Sequence, residues 1–298
     1  LIMEIMEIKK IISELESTGD YKVVKKLHTQ ESYNEDDGSD KRIAIFLDVE
    51  TTGLSVEEAE IIELGMIAFE YSDDGRIFNI IDEFDEFEEP KKGEIPQEIT
   101  DITSITNEMV KGKSINDKKV NEFISDAVII IAHNANFDRQ FVEKRFSVFK
   151  DISWGCSIND VSWKENGLNA RNLEYLAYMY GYFYDAHRAS YDCRASVHLL
   201  AQKLPKSNEL VLSDLLKTAR KKTSRIFADK ASFDKKDQLK ERRYKWNPDM
   251  KVWFIDVNEN DMADELTWLG ENIYSNGKTD HLKPSIFGAR KRYSDRIS

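Results

Sequence analysis

Short apolar runs separated by polar stretches mark the strands that this sequence predicts. Residues 43–47 and 127–132 are wholly apolar and rich in β-branched side chains, which is typical of strands buried on both faces. Residues 61–71 and 77–85 predict a pair of strands joined by a turn, and a further strand is expected around residues 152–157. The first of these strands is the one around which we expect the rest of the chain to be organised.

Helices are predicted between and after these strands. Residues 116–125 and 172–180 predict short helices, and residues 193–204 predict a longer one. Another helix is expected directly after the strand at residues 127–132. Asn136 is its predicted N-cap, because a short polar side chain can accept a hydrogen bond from the first turn.

Two carboxylates, Asp48 and Glu50, stand at the end of the first strand. Side chains two residues apart on a strand point to the same face, so these two carboxylates repel each other. Hard divalent cations take oxygen ligands and neutralise such a pair, which makes a metal site one interpretation. A strand that ends in solvated acids is the alternative that this stretch leaves open.

Further acids and a histidine lie near the starts of two later helices. Asp138 is expected in the first turn of its helix, where the helix N-terminus favours the ionised carboxylate that a metal needs. His187 and Asp192 can converge on one pocket, and a neutral imidazole near a metal-bound water can accept its proton at pH 7. Taken singly, these residues are also typical of ordinary helix starts and caps.

The composition is that of a soluble globular protein, with 41% hydrophobic and 33% charged residues. A chain of 298 residues can build one substantial core and a small second domain. The net charge of -12 argues against a nucleic-acid partner. However, residues 213–251 hold thirteen Lys or Arg against six Asp or Glu, so the second half has basic faces that can hold a polyanion.

Cysteines and apolar segments favour a cytoplasmic protein without a membrane partner. Cys156 and Cys193 form no CxxC pair, so a structural zinc site is not expected, and reduced thiols are the default. The first residues include Glu4 and Glu7 and do not resemble a signal peptide. The longest apolar run is far too short to cross a bilayer.

Both ends of the chain add segments to this pattern. Residues 1–17 predict an amphipathic helix that we expect to lie against the main domain, with a partner- or membrane-binding helix as the alternative. Residues 31–40 predict an acidic linker. In the second half, residues 243–256 predict a hairpin that mixes basic and aromatic side chains. Its tryptophans are expected in the core of a small domain, and its basic strip is a candidate nucleic-acid contact.

Three motifs resemble those of the DEDDh 3′–5′ exonucleases, which include the proofreading ε subunit of bacterial replicative polymerases, ribonuclease T and oligoribonuclease. The motifs are Asp48-x-Glu50, His133-Asn134-Ala135-x-Phe137-Asp138 and His187-x-Ala189-x-Tyr191-Asp192. Over roughly residues 41–204, all five functional residues of that family are present in order.

The resemblance implies an α/β, ribonuclease H-like fold, in which a mixed sheet is flanked by helices, with a small C-terminal α+β domain added. We therefore expect an N-terminal helix and acidic linker (1–40), an exonuclease domain (41–205), a helical connector (206–223), a small α+β accessory domain (224–276) and a loosely ordered basic tail (277–298).

The resemblance also implies the roles of the site residues. Asp48 would bridge two Mg²⁺ or Mn²⁺ ions, Glu50 and Asp192 would complete one metal site, and Asp138 would hold the second ion. His187 would deprotonate the attacking water. Two ions about 3.5–4 Å apart can stabilise both the nucleophile and the leaving oxygen. The substrate-binding residues implied by motif position are Thr51, Thr52, Gly53, Leu54, Asn134 and Phe137, the last with a core anchor as its alternative.

The expected function is a metal-dependent 3′–5′ exonuclease that releases nucleoside monophosphates from single-stranded or frayed ends. We favour DNA over RNA, although spacing does not place the contacts to the 2′-position that separate the two. The expected partners are a nucleic acid with a free 3′ end and a polymerase or another replication or repair protein. The alternatives are an exoribonuclease of the ribonuclease T or oligoribonuclease type and a non-catalytic polymerase or clamp adaptor, against which the intact acid set argues.

Overall fold

A computed structural model gives the fold and describes residues 2–248, 250–274 and 276–296. Its strands are β1 (Lys25–Lys26), β2 (Arg42–Thr51), β3 (Ile61–Tyr71), β4 (Ile77–Phe87), β5 (Ala127–Ala132), β6 (Ser153–Cys156), β7 (Tyr182–Phe183), β8 (Thr223–Phe227), β9 (Lys245–Asn247), β10 (Val252–Asn258) and β11 (Ser285–Phe287). Its α-helices are α1 (Ile2–Ser17), α2 (Gln97–Thr103), α3 (Asn107–Val110), α4 (Asp117–Ile124), α5 (Ala135–Arg145), α6 (Leu173–Met179), α7 (Ala189–Leu200), α8 (Val211–Ala219), α9 (Lys236–Glu241) and α10 (Met262–Asn272).

A five-stranded mixed sheet forms the main domain, with the strand order β4-β3-β2-β5-β6. β2, β3 and β4 are antiparallel neighbours, whereas β2, β5 and β6 run parallel. β2 lies in the middle of the sheet, as its continuous apolar run predicts. Helices cover both faces, so the predicted ribonuclease H-like fold class is confirmed.

The side chains of β2 divide the core into two layers, because they alternate between the faces of the sheet. Ala44 and Phe46 face one apolar core, to which α6, α7 and α8 contribute. Ile45 and Leu47 face the other, to which α4 and α5 contribute. Asp48 continues the series of Ala44 and Phe46, so the strand turns its first carboxylate towards the side of α7.

The predicted helical connector at residues 206–223 is instead part of the main domain. α8 buries Leu212, Leu215 and Leu216 in the core that it shares with α6 and α7. At Gly155 of β6, a Cβ would lie 2.9 Å from the side chain of Leu215, so the helix packs directly on the sheet. The expectation of a separate connector is therefore wrong, because its apolar face completes the core.

The segment before β2 also joins the main domain. β1 pairs in parallel with β7. Tyr33 N donates to Phe78 O at 2.8 Å, and Ile80 N donates to Glu31 O at 2.9 Å. Residues 31–34 of the predicted acidic linker therefore lie along the edge strand β4, where backbone hydrogen bonds hold them.

The helix α1 exposes most of its described apolar side chains. Met6 is 67% exposed, Ile8 56%, Ile11 51% and Leu15 37%. The expectation that this helix lies against the main domain is therefore wrong for the side chains that the structure describes. Within the same described part of the chain, no helix combines the length and apolar character needed to cross a bilayer.

A second sheet forms what we call the C-terminal module. Its four antiparallel strands have the order β11-β8-β10-β9. Ile226 of β8 packs against Leu239 of α9, Tyr244 and Leu269 of α10 in a separate apolar core. The hairpin of β9 and β10 lies where the sequence predicts it.

Residues 277–296, the described part of the predicted basic tail, are not loosely ordered as we expected, and residues 297 and 298 of that prediction lie outside the described residues. β11 adds an edge strand to the module, and the segment beyond it returns to the main domain. There, the fully buried Arg139 of α5 donates to the carbonyl oxygens of Ala289 at 3.3 Å, Arg290 at 2.7 Å and Arg292 at 2.6 Å. Carbonyl groups of the tail thereby accept the hydrogen bonds of a buried cation of the main domain.

A basic residue of this tail is itself buried between the two units. Arg292, 5% exposed, donates to Asp160 Oδ1 at 3.2 Å, to Thr223 Oγ1 at 3.0 Å and to Lys221 O at 2.7 Å. Arg296 also pairs with Glu143 at 3.0 Å. Two of the basic residues of the C-terminal sequence, Arg292 and Arg296, therefore stabilise the contact of the tail with the main domain.

Removing residues 289–298 is expected to lower the stability of the main domain. Arg139 would keep Glu143 as a partner, at 2.7 Å, but would lose three carbonyl acceptors. Breaking the partners of a buried charge costs roughly 3–5 kcal/mol. Thermal unfolding of a chain that ends at Gly288 checks this. Removal of the exposed α1 is the matched control, and equal melting temperatures for the two truncations would contradict the prediction.

Candidate active site

Three carboxylates meet near the C-terminal end of β2. Asp48 and Glu50 lie on one face of this strand, and Asp192 comes from the first turn of α7. One oxygen of each lies within 4.8 Å of the oxygens of the other two. The sequence predicts all three as site residues, and the fold brings them together.

The close approach of α7 to the sheet depends on a glycine that sequence reasoning missed. Gly65 of β3 pairs with Asp48 across the ladder. A Cβ at Gly65 would lie 2.5 Å from the carbonyl carbon of Ala189 and 2.7 Å from Ser190 N. A residue without a side chain therefore lets the start of α7 rest on β3, which brings Asp192 to Asp48. The signal in the sequence is a glycine inside a strand, which often marks such an approach.

The substitution Gly65→Ala is expected to displace α7, because the new Cβ would overlap backbone atoms that cannot rotate away. A misplacement of about 1 Å can cost 10²-fold in rate, so kcat/KM should fall by about that factor, with a lower melting temperature. Gly288→Ala is the control, since a Cβ there meets nothing within 4 Å. Unchanged kinetics and melting for Gly65→Ala would show that the helix can shift freely.

A buried acid of β3 holds the loop before α7. Glu63 is fully buried and pairs with Glu50 in the ladder. Its Oε1 accepts from Arg188 Nε at 2.9 Å and Nη2 at 2.7 Å, and its Oε2 accepts from Ala189 N at 2.9 Å. Glu63 thus fixes the residue next to His187 and the first residue of α7. Sequence reasoning missed it, although a lone acid in an apolar strand is a signal.

Asp192 is oriented by two donors. Tyr184 Oη donates to Asp192 Oδ1 at 2.8 Å, and Arg188 N donates to Asp192 Oδ2 at 3.1 Å. Each carboxylate oxygen keeps capacity for a further partner. Tyr184 was not predicted, because it lies outside the motif and reaches Asp192 only through the fold.

Asp138 approaches from the helix α5, which packs on the other core layer. It is 3% exposed, and its Oδ1 accepts from Val49 N at 3.2 Å. The predicted N-cap Asn136 is wrong: α5 begins at Ala135, so Asn134 holds the cap position, without a capping bond from its side chain. Among the described residues, the 4.8 Å cluster does not include Asp138, although Asp138 still acts electrostatically on Asp48.

His187 stands exposed on the loop before α7. Its backbone φ is 66°, in the left-handed region that non-glycine residues adopt infrequently. This conformation separates β7 from α7 and leaves the imidazole at the surface beside the cluster. In contrast, both ring nitrogens of His133 have hydrogen-bond partners. Its Nδ1 lies 2.8 Å from Ser157 Oγ, and its Nε2 lies 2.8 Å from Arg171 O.

The residues predicted to bind substrate differ in their surroundings. Thr51 Oγ1 donates to Gly53 O at 2.7 Å, and Thr52 N donates to Glu60 O at 2.9 Å, so this turn is fixed. Leu54 at its tip is 85% exposed. The turn borders a groove of about 350 Å³.

The two predicted residues of the second motif divide between surface and core. Asn134 is exposed at the start of α5. Phe137 packs against the second core, with its ring centroid 4.8 Å from that of Phe141. The contacts of Phe137 therefore support its alternative as a core anchor.

Burial raises the pKa of every carboxylate in this site, and repulsion from neighbouring acids adds to it for Asp48, Glu50 and Asp138. Burial raises the pKa of Asp48 well above its usual range, with further increases from Asp138, Asp192 and Glu50. Burial and then Asp192 raise the pKa of Glu50 to about 8. Burial raises the pKa of Asp138 to about 7. Burial also raises the pKa of Asp192, against the lowering by Tyr184, Arg188 N and His187.

This donor set fits a divalent cation. Carboxylate oxygens are the ligands that Mg²⁺ prefers, and three of them lie close enough to share an ion. Burial first, and then repulsion between the acids, raises the pKa values of Asp48 and Glu50, and a bound cation would offset both by favouring the ionised carboxylates. The site therefore has the chemistry of a divalent metal centre.

The metal-free protein is expected to lose stability as the pH rises from about 4 to about 8. The folded pKa values of Glu50, about 8, and Asp138, about 7, exceed the ordinary values of 4.5 and 3.8. In this window the folded state therefore binds more protons than the unfolded state, and its stability falls with pH. Melting temperatures in EDTA check this, and Mg²⁺ or Mn²⁺ should flatten the slope. An Asp48→Asn variant with the same slope as the native chain would contradict it.

The family of the chain follows from its sequence as a whole. The RNase_T family model, which describes an exonuclease, matches residues 45–200. This covers more than half of the 298 residues, and the chain belongs to this exonuclease family. The expected class of enzyme, an exonuclease, is confirmed.

Similar proteins include DNA polymerases III of the PolC type. The chain is 41% identical over 103 residues to DNA polymerase III PolC-type of Clostridium perfringens, covering 34% of this chain and 7% of that protein. It is 31% identical over 185 residues to the PolC-type protein of Halalkalibacterium halodurans, covering 57% of this chain and 12% of that protein. The chain thus matches only a small part of the length of these relatives.

Two solved structures of exonucleases are similar to part of this chain. Exonuclease X in complex with 5′ overhanging duplex DNA has a TM-score of 0.42 at 21% identity, covering 59% of this chain and 92% of that one. An E. coli ExoI–ssDNA complex with bound zinc has a TM-score of 0.47 at 16% identity, covering 83% of this chain and 65% of that one.

Proposed function

We propose that this protein is a metal-dependent 3′–5′ exonuclease that acts on DNA. The observation that supports it most is the convergence of Asp48, Glu50 and Asp192 within 4.8 Å, with Asp138 and His187 at the same end of the sheet. Water would add to the terminal phosphorus, and the bond from phosphorus to the 3′-oxygen of the preceding nucleotide would break. The products are a nucleoside monophosphate and a strand with a new 3′-hydroxyl.

We propose that the carboxylates hold two Mg²⁺ or Mn²⁺ ions. Asp48 would contact both, Glu50 and Asp192 one, and Asp138 the other. When bound, these ions supply positive charge that stabilises the phosphate oxygens during the displacement. Glu63 and Tyr184 act as positioning residues, because they hold the start of α7 and the carboxylate of Asp192.

His187 is the proposed general base. Its exposed imidazole can take the proton of the attacking water without breaking a hydrogen bond that the fold needs. The other histidine of the motifs, His133, is unsuited to this role: both of its ring nitrogens have partners, and burial lowers its pKa to about 4. The exposure of His187 and the pairing of both ring nitrogens of His133 therefore support His187 as the proposed base.

The turn of Thr51, Thr52, Gly53 and Leu54 is proposed to hold the terminal nucleotide. Its internal hydrogen bonds fix the backbone, and the exposed Leu54 offers an apolar surface for a base. Asn134 lies within the motif that carries Asp138 and is proposed to contact the same nucleotide. The names of the PolC-type relatives support DNA as the substrate and a polymerase as a partner. A cytoplasmic location is part of this proposal.

A gel assay tests this function. Single-stranded DNA and RNA of one sequence, labelled at the 5′ end, are incubated with Mg²⁺, Mn²⁺ or EDTA. We expect a ladder that shortens from the 3′ end of DNA, requires metal and proceeds more slowly on RNA. Faster degradation of RNA would support the exoribonuclease alternative, and stable strands in both metals would support a non-catalytic adaptor.

A further inference from the structure

Aromatic rings and lysines lie next to one another in the C-terminal module. Lys236 Nζ lies 4.3 Å from the centroid of the Phe233 ring, and Lys240 Nζ lies 6.0 Å from that of Trp253. Trp253 and Trp246 pair across β10 and β9, with ring centroids 5.4 Å apart. We call these five residues the aromatic–lysine strip.

The rings at the two ends of this strip face solvent. Phe233 is 77% exposed and Trp246 47% exposed, whereas Trp253 is half-buried against the module core. The expectation that both tryptophans are core residues is therefore wrong for Trp246. Exposed rings beside lysines are suited to single-stranded nucleic acid, because bases stack on the rings and phosphates neutralise the cations.

A cleft of about 740 Å³ separates the module from the main domain. Lys164 and Arg171 line it from the main domain, and Arg243 lines it from the module. Asp160 in its wall is buried and paired with Arg292, which leaves Glu165 as the exposed acid of this lining. The exposed charge of the cleft is therefore positive and complementary to a phosphate backbone.

The lining of the cleft contacts both the second motif and the strip. At one end, the carbonyl of Arg171 contacts the ring of His133, the residue before Asn134. At the other end, Arg243 N donates to the carbonyl of Lys240 at 2.9 Å. Arg171 thus borders the second motif, and Arg243 borders the strip.

Arg243 occupies a backbone position that favours glycine. Its φ is 74°, directly after α9, where Tyr244 N donates to Leu239 O at 2.9 Å and closes the helix. Glycine is the usual residue at this position, because an L side chain is strained there. Arg243 adopts this conformation despite the backbone strain, and its side chain lines the cleft.

We propose that the C-terminal module binds the single-stranded DNA upstream of the 3′ end, on the aromatic–lysine strip, and that the cleft leads this strand to the active site. The proposal rests on the proposed exonuclease function, which supplies the strand. It predicts that the substitutions in the module weaken the binding of long strands but leave the hydrolysis of a substrate of one nucleotide unchanged.

The test uses Arg243→Gly and Trp246→Ala in the full chain. Arg243→Gly relieves backbone strain, so its melting temperature should be equal or higher while DNA binding falls. Trp246→Ala removes a ring at the surface. Tyr178→Ala is the matched control, since Tyr178 is 48% exposed and also lies beneath a lysine, with Lys22 Nζ 4.4 Å from its ring centroid.

Binding is measured by fluorescence anisotropy with a labelled oligothymidylate long enough to span the site, the cleft and the strip. Each substitution is placed in an Asp48→Asn background and in EDTA, so that the strand is not degraded. Trp246→Ala should weaken binding at least about fivefold, since stacking is worth about 1–3 kcal/mol per base. Arg243→Gly should also reduce the salt dependence of log K by about 0.7 for its one phosphate contact.

A second measurement distinguishes failure of the module proposal from failure of the proposed exonuclease function. The wild-type chain and its single substitutions are assayed with the p-nitrophenyl ester of thymidine 5′-monophosphate, which reports hydrolysis alone. We expect equal rates for all of them. Native hydrolysis together with native affinity and salt slope for Arg243→Gly and Trp246→Ala would overturn the module proposal. Weakened strand binding without any hydrolysis would overturn the exonuclease function and leave the binding surface supported.

Discussion

Asp48→Asn is expected to abolish measurable DNA hydrolysis while the protein remains folded. The amide removes the negative charge of the residue proposed to contact both ions. Metal charge stabilisation is worth several kcal/mol, so we expect a loss of roughly a thousandfold or more in kcat. Calorimetric titration with Mn²⁺ should show a loss of affinity in parallel.

The same substitution should stabilise the metal-free fold near pH 8. Burial and four neighbouring carboxylates raise the pKa of Asp48, so its ionised form is unfavourable without a cation. The matched control is Asp82→Asn, an exposed acid on β4 that should change neither activity nor metal affinity. An Asp48→Asn protein that retains more than a tenth of native activity would be incompatible with the proposed role of this carboxylate.

His187→Asn is expected to reduce kcat by about 10²–10⁴-fold, the range that general acid–base catalysis supplies. Asparagine is the replacement of choice because it tolerates the positive φ of 66°, so the loop should keep its shape. Mn²⁺ affinity and DNA affinity should stay within about twofold of native values, since this residue is assigned no metal. The effect should therefore appear in kcat and not in binding.

Single-turnover kinetics with saturating enzyme measure this effect directly. His281→Asn, an exposed histidine of the C-terminal module that packs against Tyr274, is the control. A His187→Asn protein with native kcat would assign the proton transfer to another group. A protein that has lost Mn²⁺ binding would instead place His187 in the metal site.

The resemblance of the three motifs to those of the DEDDh exonucleases implied the fold class, and the sequence by itself determined the central strand and the chemical groups of the site. These follow from local patterns: an apolar run, a period of two that sets Asp48 beside Glu50, and short motifs with fixed spacing. The outlines of the C-terminal hairpin and of most helices follow from the same kind of information. Errors at this level, such as the N-cap assigned to Asn136, are shifts of one or two residues.

Only the tertiary structure decided how these groups are held. Glu63 meets Arg188 across 125 residues of sequence, and Arg139 meets the carbonyl of Arg292 across 153. Such contacts carry no local periodicity, because they depend on which surfaces the folded sheet brings together. For the same reason the sequence predicted a connector and a loose tail where the fold has a core helix and a buried ion pair. The identities of the acids could be predicted from the sequence. The partners that orient them depend on long-range packing, which no short window of sequence contains.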